Sequence, residues 1–464
     1  MDHPKPETLR DFILVRLAPS EDAQVEAHLE GGCERCLFAA RELFPEAHFG
    51  TQESVRAFVN AIYEKEEQPG SADADEEIDR ILHQALRRRF LLDCEAALTP
   101  ALLGELDRRP PAERRATIRT APRYRLYGFA ERLCELSREA GFSDVGRALE
   151  LAELAVEVSD GLDPRLYFPL ITTDQQAMAR AFLGNARRVA SDLFGADRAF
   201  HEGRQFLREG TESPILHAEF SSLLGSLRID QARYPEAQRM LLEAREIFEK
   251  WGRPEDVGRV LLQLGLCMRY AGEAERAVEL FGQAAEVLEA VEDERLHLAA
   301  HHNLVDATIE VGDGLEALAR FQKAQPLYDR FAGDSWVQLR RRWIEGAIHA
   351  VLGDFDIARR ALEEVRELAS RRELAYEFAM VSLELALVHL REGDIGRVQD
   401  LAEEMTPIFR SQDLHRYALA ALYLFRHDAR SQRITTGLLR EILSYLRRAR
   451  NNPFLHFEPA ARWG

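Results

Sequence analysis

The chain has 464 residues, of which 46% are hydrophobic and 30% charged, and its formal net charge is −18 at pH 7. This is the composition of a foldable, water-soluble protein long enough for two or three domains. The acidic total disfavours general binding to a phosphate backbone, and the most conspicuous apolar run, residues 417–425, is too short to cross a bilayer. The amino terminus has no basic stretch followed by an apolar one, so we expect a cytoplasmic protein without a membrane span.

Residues 1–67 form the first predicted module, and three of them have the spacing of metal ligands. His28, Cys33 and Cys36 stand as His-x4-Cys-x2-Cys, where the second of three predicted helices gives way to the third. A Cys-x2-Cys pair places two thiolates on one metal ion, as in tetrahedral zinc sites. His3 precedes the first predicted helix and is our choice of fourth ligand. The pattern predicts one structural zinc ion.

This stretch resembles the zinc-binding anti-sigma domain, a short helical module whose signature is His-x3-Cys-x2-Cys with one earlier Cys or His. The chain has four residues between His28 and Cys33, where that family usually has three. The resemblance implies a module that binds zinc and holds a sigma factor or another regulatory partner. The alternative is that these residues fall by accident on amphipathic helices, which leaves a docking cluster with no regulatory role.

Further helices are expected between this module and the middle of the chain. Residues 68–75 are polar and interrupted by Pro69 and Gly70, which predicts a linker. Residues 76–175 are predicted to be helical, with a degenerate leading repeat around Ala148. Within them, residues 108–125 hold seven arginines and one acid. Such a segment is able to contact nucleic acid or an acidic partner, but we favour a solvated helix pair.

A repeat of 40 or 41 residues predicts six helix pairs over residues 176–412. A small residue recurs in each unit, at Ala196, Ala237, Ala277, Ala317, Ala358 and Val398. A second small residue lies twelve positions earlier, with a turn between the two, so that antiparallel helices can approach closely. Four positions after Ala196 and its equivalents, most units carry a larger apolar residue, which we expect to fill the space between neighbouring pairs.

The pattern resembles the tetratricopeptide repeat, whose first helix carries the Leu-Gly pair found at Leu183-Gly184, Leu224-Gly225 and Leu264-Gly265. The family's usual repeat has 34 residues, so the helices here are expected to be longer. The resemblance implies an all-α, right-handed solenoid of antiparallel helix pairs whose concave face binds a peptide or helix of another protein. It implies no reaction, and we expect the chain not to be an enzyme.

The family's geometry would line the concave face with first-helix positions counted from the small residue of the first helix, such as Gly225 or Gly265. These positions lie three before, one after and four after that residue. These positions are polar in the early units and apolar in the later ones, which suits an amphipathic helix. They are Asn185, Arg188, Ser222, Ser226, Arg269, His302, Asp306, Trp343, Leu383, Leu387 and Leu390. The alternative is that the apolar end is covered by residues 413–464, which are predicted to form capping helices and a tail.

The sequence therefore predicts a cytoplasmic, all-helical, non-enzymatic regulator or adaptor, with a zinc module joined to a solenoid that binds another protein. The alternatives are a plain assembly scaffold and, less favoured, a regulator associated with nucleic acid. A regulator requires a partner bound through residues 1–67, whereas the binding of a scaffold survives their deletion.

Overall fold

A computed structural model of the chain describes residues 97–141, 144–405 and 415–458, together with seven isolated positions. Those positions are His3, Lys5, Thr8, Gln24, His28, Leu92 and Glu95. The predicted linker at 68–75 and most of the amino-terminal module, including Cys33 and Cys36, lie outside the described residues.

The regular structure of the described ranges is helical throughout, with no strand among them. A helical segment at 97–107 and eighteen helices, numbered here in chain order, make up this part of the chain. The helices are α1 Pro111–Thr120, α2 Tyr127–Ala140, α3 Val145–Asp160, α4 Pro164–Tyr167, α5 Pro169–Val189, α6 Leu193–Glu209, α7 Pro214–Asp230, α8 Tyr234–Lys250, α9 Pro254–Ala271, α10 Ala274–Leu288, α11 Glu294–Val311, α12 Gly314–Arg330, α13 Ser335–Leu352, α14 Phe355–Arg371, α15 Ala375–Glu392, α16 Ile395–Glu404, α17 Arg416–Arg430 and α18 Thr436–Ala449.

The chain divides into two compact units. The first comprises Met1–Ala186 and His201–Glu212, and the second comprises Arg187–Phe200 and Ser213–Gly464. In the first unit, α2 and α3 pack together, and the Ser137 hydroxyl donates a hydrogen bond of 2.8 Å to the carbonyl oxygen of Ala148. Ala148 is fully buried where these two helices pack.

The arginine-rich segment at 108–125 forms α1 and the turn that follows it. Four of its arginines make ion pairs with carboxylates of the same unit: Arg114–Glu150, Arg115–Glu157, Arg119–Glu157 and Arg123–Glu105. The carboxylates of α3 therefore offset much of the positive charge that the segment presents when it is considered alone.

The turns between the helices of the six repeats share one backbone conformation. One residue in each turn has a positive φ, between 59° and 94°, and ends the first helix. These residues are Ser191, Ala232, Gly272, Gly312, Gly353 and Gly393. Glycine adopts this left-handed conformation at little cost, which explains its recurrence in four of the six turns.

The glycines of the first helices make room for a large side chain of their own pair. A Cβ atom on Gly265 would lie 2.4 Å from Cε1 of Phe281, and one on Gly225 would lie 2.9 Å from Cδ2 of Leu241. We expected these large residues to fill the space between neighbouring pairs; Phe281 shares a hydrophobic cluster with Leu304 of the next pair, and the structure also places these residues over the glycine of their own pair. They reach it because they lie one helical turn beyond the small residue at the crossing.

The helix pairs of the second unit stack in sequence. From α8 to α14, each second helix packs against its own first helix and against the first helix of the next pair. The first helices α7, α9, α11, α13 and α15 also contact one another in order, and so form one face of the unit. No helix in the described ranges is both long enough and apolar enough to span a membrane.

Candidate peptide-binding groove

The face formed by the first helices of the second unit carries most of the residues predicted to bind a partner. We call it the inner face and define it by its polar and aromatic side chains. They are Asp230, Ser222, Ser226, Gln263, Arg269, His302, Asp306, Glu310, Trp336, Arg340, Trp343, Glu377 and Glu384. Of the other predicted residues, Arg188 forms an ion pair of 2.7 Å with Asp230, whereas Asn185 belongs to the first unit.

Hydrogen bonds join the inner face from one repeat to the next. The Ser222 hydroxyl on α7 donates to Oε1 of Gln263 on α9 at 2.7 Å. The amide nitrogen of Gln263 donates in turn to the hydroxyl of Ser226 at 2.8 Å. The two predicted serines are thus held together by a glutamine of the following repeat.

Arg269 is the central cation of the inner face. Its guanidinium lies 2.7 Å from Asp306 and 2.6 Å from Glu310, both on α11, and its side chain is only 7% exposed. Burial opposes the charge of Arg269, but these two carboxylates outweigh that effect and raise its pKa. Burial likewise favours protonation of Asp306, but the neighbouring Arg269 and Arg447 hold the pKa of that carboxyl below its usual range.

His302 is held in one tautomer by its neighbours. Arg340 donates from Nε to Nε2 of His302 at 3.2 Å, so the proton of the neutral ring is on Nδ1, which lies 2.7 Å from the Tyr328 hydroxyl. Burial and the nearby charge of Arg340 lower the pKa of His302 to about 3. The imidazole is therefore neutral at physiological pH and serves as a polar contact between α11, α12 and α13.

The later part of the inner face is covered by the chain's own carboxy-terminal helices. Leu383 is fully buried in one hydrophobic cluster with Leu439, Ile442 and Leu446 of α18, and Leu387 and Leu390 pack against the same cluster. Beside them, Trp343 donates from Nε1 to Glu384 at 2.7 Å. Of the two interpretations left open by the sequence, the structure shows the one in which the cap covers the apolar end.

The cap extends well beyond the last repeat. We call residues 436–458 the C-terminal segment. Its Arg447 lies 3.3 Å from Glu310 and 3.4 Å from Glu384. Arg450 forms an ion pair of 2.8 Å with Glu377, and its carbonyl oxygen accepts a hydrogen bond of 3.4 Å from Ser191.

The segment also reaches the end of α7. The side-chain amide of Asn452 donates to the carbonyl oxygen of Asp230 at 2.8 Å. The side-chain amide of Asn451 lies 3.4 Å from Oδ1 of the same aspartate. Because the segment contacts the turn before α6 and also α7, α11 and α15, it crosses the inner face from early repeats to late ones.

The sequence predicts that the carboxy-terminal helices form a cap, but it does not predict this set of contacts. The available signal was the run Arg447-Arg448-Ala449-Arg450, which follows an apolar helix in an acidic chain. Its acidic partners Glu310, Glu377 and Glu384 look like ordinary solvated helix residues when the sequence is considered alone.

The predicted zinc ligands are only partly described. The imidazole rings of His3 and His28 lie edge to face with their centroids 5.3 Å apart, although 25 residues separate them in sequence. Cys33 and Cys36 fall outside the described residues. Elsewhere in the described ranges, no group of three or more histidines, cysteines or carboxylates is arranged to hold a metal ion.

Comparison with known proteins finds a repeat family that matches part of the chain. Residues 217–290 match the tetratricopeptide repeat family model, and no curated protein matches the chain. Aspartyl phosphate phosphatase F from Bacillus subtilis is 12% identical, with 88% of this chain and 94% of that chain covered and a TM-score of 0.48. A signal transduction ATPase with a tetratricopeptide repeat sensor, from Pyrococcus horikoshii, is 13% identical over 92% of this chain and 55% of that chain, with a TM-score of 0.45.

A third similar structure is the Rap conjugation gene regulator of the plasmid pLS20, solved in complex with the Phr* peptide. It is 14% identical over 69% of this chain and 94% of that chain, with a TM-score of 0.42. Similarity at this level carries no inference about a partner or an activity. The family match therefore covers part of the chain: residues 217–290, from within α7 to just beyond α10, match the tetratricopeptide repeat family model.

Proposed function

We propose that this chain is a non-enzymatic regulatory or adaptor protein that binds a segment of another protein on its inner face. One observation carries the proposal: the inner face already holds an amphipathic helix, α18, through an apolar stripe and charged side chains. A surface that holds such a helix within its own chain has the shape and chemistry to bind one from another protein.

Site-directed photo-crosslinking in the cells that produce the protein tests this function. A photo-reactive amino acid replaces Arg340, which is exposed and lies on the inner face. A matched variant carries it at Arg239 of α8, whose side chain is 67% exposed and outside the inner face. We expect a protein adduct from position 340 and none of the same mass from position 239. An adduct confined to position 239, or none from position 340, would contradict the proposal.

We further propose that residues 1–67 form a zinc module that holds a regulatory partner, for which the resemblance implies a sigma factor. The donors are His3, His28, Cys33 and Cys36, a set that suits tetrahedral zinc. Two imidazoles on one zinc ion, with Zn–N of about 2 Å, place their ring centroids about 5 Å apart. The separation of 5.3 Å between His3 and His28 fits that arrangement.

Metal analysis of the reduced, purified full-length protein tests the module. We expect one zinc ion per chain, and its loss in His28→Ala and in Cys33→Ala, because each change removes one of four ligands. His201→Ala is the control, since that histidine is exposed on α6 and its removal should leave the zinc content unchanged. Wild-type protein without zinc would overturn this part of the proposal.

A further inference from the structure

The inner face and the C-terminal segment are complementary in charge. Residues 436–458 contain four arginines and two glutamates, whereas the whole chain has a net charge of −18. Two of those arginines contact three carboxylates of the inner face, Glu310, Glu377 and Glu384. A basic segment thus lies on an acidic row of first helices.

We propose that the inner face is a receptor for a basic amphipathic helix of a partner protein, and that the C-terminal segment is a built-in occupant which this helix displaces. The inference rests on the proposed function and adds the chemical class of the partner. The partner helix presents an apolar stripe to the inner face. It presents two arginines to the acidic side chains that Arg447 and Arg450 now contact.

The packing of α18 differs from that of a regular second helix. In the regular pairs from α8 to α14, a second helix contacts its own first helix and the next one. Helix α18 contacts its own first helix, α17, and it also packs on α15, the first helix of the preceding pair. The stacking from α8 to α14 includes no comparable contact of a second helix with an earlier first helix, so the position of α18 on α15 depends on its own side chains.

Those side chains define what a competing helix must carry. Leu439, Ile442 and Leu446 follow the spacing of one apolar helix face. They are fully buried in one hydrophobic cluster with residues of α15 and α17. Arg447 and Arg450 come one and four positions after the last of them, so they lie one helical turn apart. The recognition pattern is an apolar stripe followed by Arg-x-x-Arg.

The carboxylates need these arginines. Burial raises the pKa of Glu384, and this shift is opposed by the charge of Arg447 and the hydrogen bond from Trp343. Removing Arg447 without a substitute leaves Glu384 with its hydrogen-bonded tryptophan but without its cation. Displacement by a neutral helix is therefore unfavourable, whereas a helix that supplies arginines restores the ion pairs.

Because the C-terminal segment is tethered to the rest of the chain, it occupies the inner face of the isolated protein. A linked segment acts at an effective concentration on the order of 1 mM, so a free peptide with a dissociation constant of about 10 µM binds about 100-fold more weakly to the closed chain. A partner overcomes this by binding more tightly or by using a second contact elsewhere.

Fluorescence anisotropy with a labelled synthetic peptide of residues 434–458 tests the inference on full-length protein. The receptors are the wild-type chain and the charge-reversed chain R447E/R450E, whose own segment is repelled by the inner face. We expect the peptide to bind the charge-reversed chain at least about 30-fold more tightly than the wild type. A second peptide that carries the same two reversals should bind the charge-reversed chain at least about tenfold more weakly than the first.

Equal affinity for the two receptors, or equal binding of the two peptides, would overturn the inference. Circular dichroism checks that R447E/R450E is folded; if it is not, N451A/N452A takes its place, with at least about a threefold gain expected. Light scattering shows whether the variants dimerise by exchanging segments, which would make a second copy the occupant and also overturn the inference. Peptide binding that fails while the adduct at position 340 persists would reject this partner class and leave the proposed function standing.

Discussion

Replacing Gly265 by valine is expected to destabilise the second unit by about 3 kcal/mol, which corresponds to a fall in Tm of roughly 6–12 °C. A Cβ atom at this position would lie 2.4 Å from the ring of Phe281, which is fully buried and cannot swing into solvent. Relief requires α9 and α10 to move apart, which opens the packing of that pair. Thermal unfolding followed by circular dichroism measures the change.

Two further variants separate crowding from other effects of losing a glycine. Gly282→Ala lies in α10, where a new Cβ would meet nothing within 4 Å, and should stabilise the protein by about 0.5–1 kcal/mol through helix propensity. The smaller change Gly265→Ala should also lower the free energy of unfolding. Adding Phe281→Leu to it should recover part of that loss, because the smaller side chain leaves room for the methyl group. A destabilised Gly282→Ala, or strictly additive effects in the double variant, would contradict this account.

Replacing Arg269 by alanine is expected to lower the free energy of unfolding by about 3 kcal/mol at neutral pH. The change removes one guanidinium from two carboxylates of α11, Asp306 and Glu310, and leaves Arg447 as the remaining cation beside them. The estimate is at the lower end for broken buried pairs because the two carboxylates are partly exposed, at 23% and 29%. Denaturant unfolding of the two proteins side by side measures the difference.

The pH dependence of that difference identifies its electrostatic origin. The lowered pKa of Asp306 contributes stability that is fully present above its ordinary value of 3.8 and is lost as the pH falls below it. The difference in the free energy of unfolding between wild type and the Arg269→Ala variant should therefore become smaller in acid. Arg239→Ala is the control, since its exposed ion pair with Glu243 is expected to contribute less than about 0.5 kcal/mol. A gap independent of pH would point to lost packing instead of lost charge.

The helix pairs and their turns could be predicted from the sequence because local rules determine them. A small residue permits a close crossing wherever it occurs, and a residue that tolerates positive φ ends a helix whatever lies further along the chain. Even Ser191 and Ala232, which lack the glycine signature, could be located, because their neighbours at a spacing of 40 or 41 residues show the same turn. The family match to residues 217–290 agrees with that reading.

The chemistry of the inner face was only half visible in the sequence. Arg269, His302 and Asp306 could be placed on it by counting from Gly265 and from Val305, the equivalent position of the next repeat, because every repeat presents the same helix face in the same direction. Their partners Arg340 and Glu310 lie on the same face, but nothing in their spacing separates them from solvated helix residues. The pairing of a cation with an anion depends on distance in space, which no local pattern records.

The sequence by itself determined the all-helical repeat, its period and its turns, since each of these depends on residues that are close along the chain. Only the tertiary structure decided that α18 leaves the stack and lies on the inner face, where Asn452 contacts Asp230, 222 residues away. That placement depends on the sum of an apolar stripe, three ion pairs and the side-chain amides of Asn451 and Asn452, each of which is weak until the row of first helices brings its partner within reach.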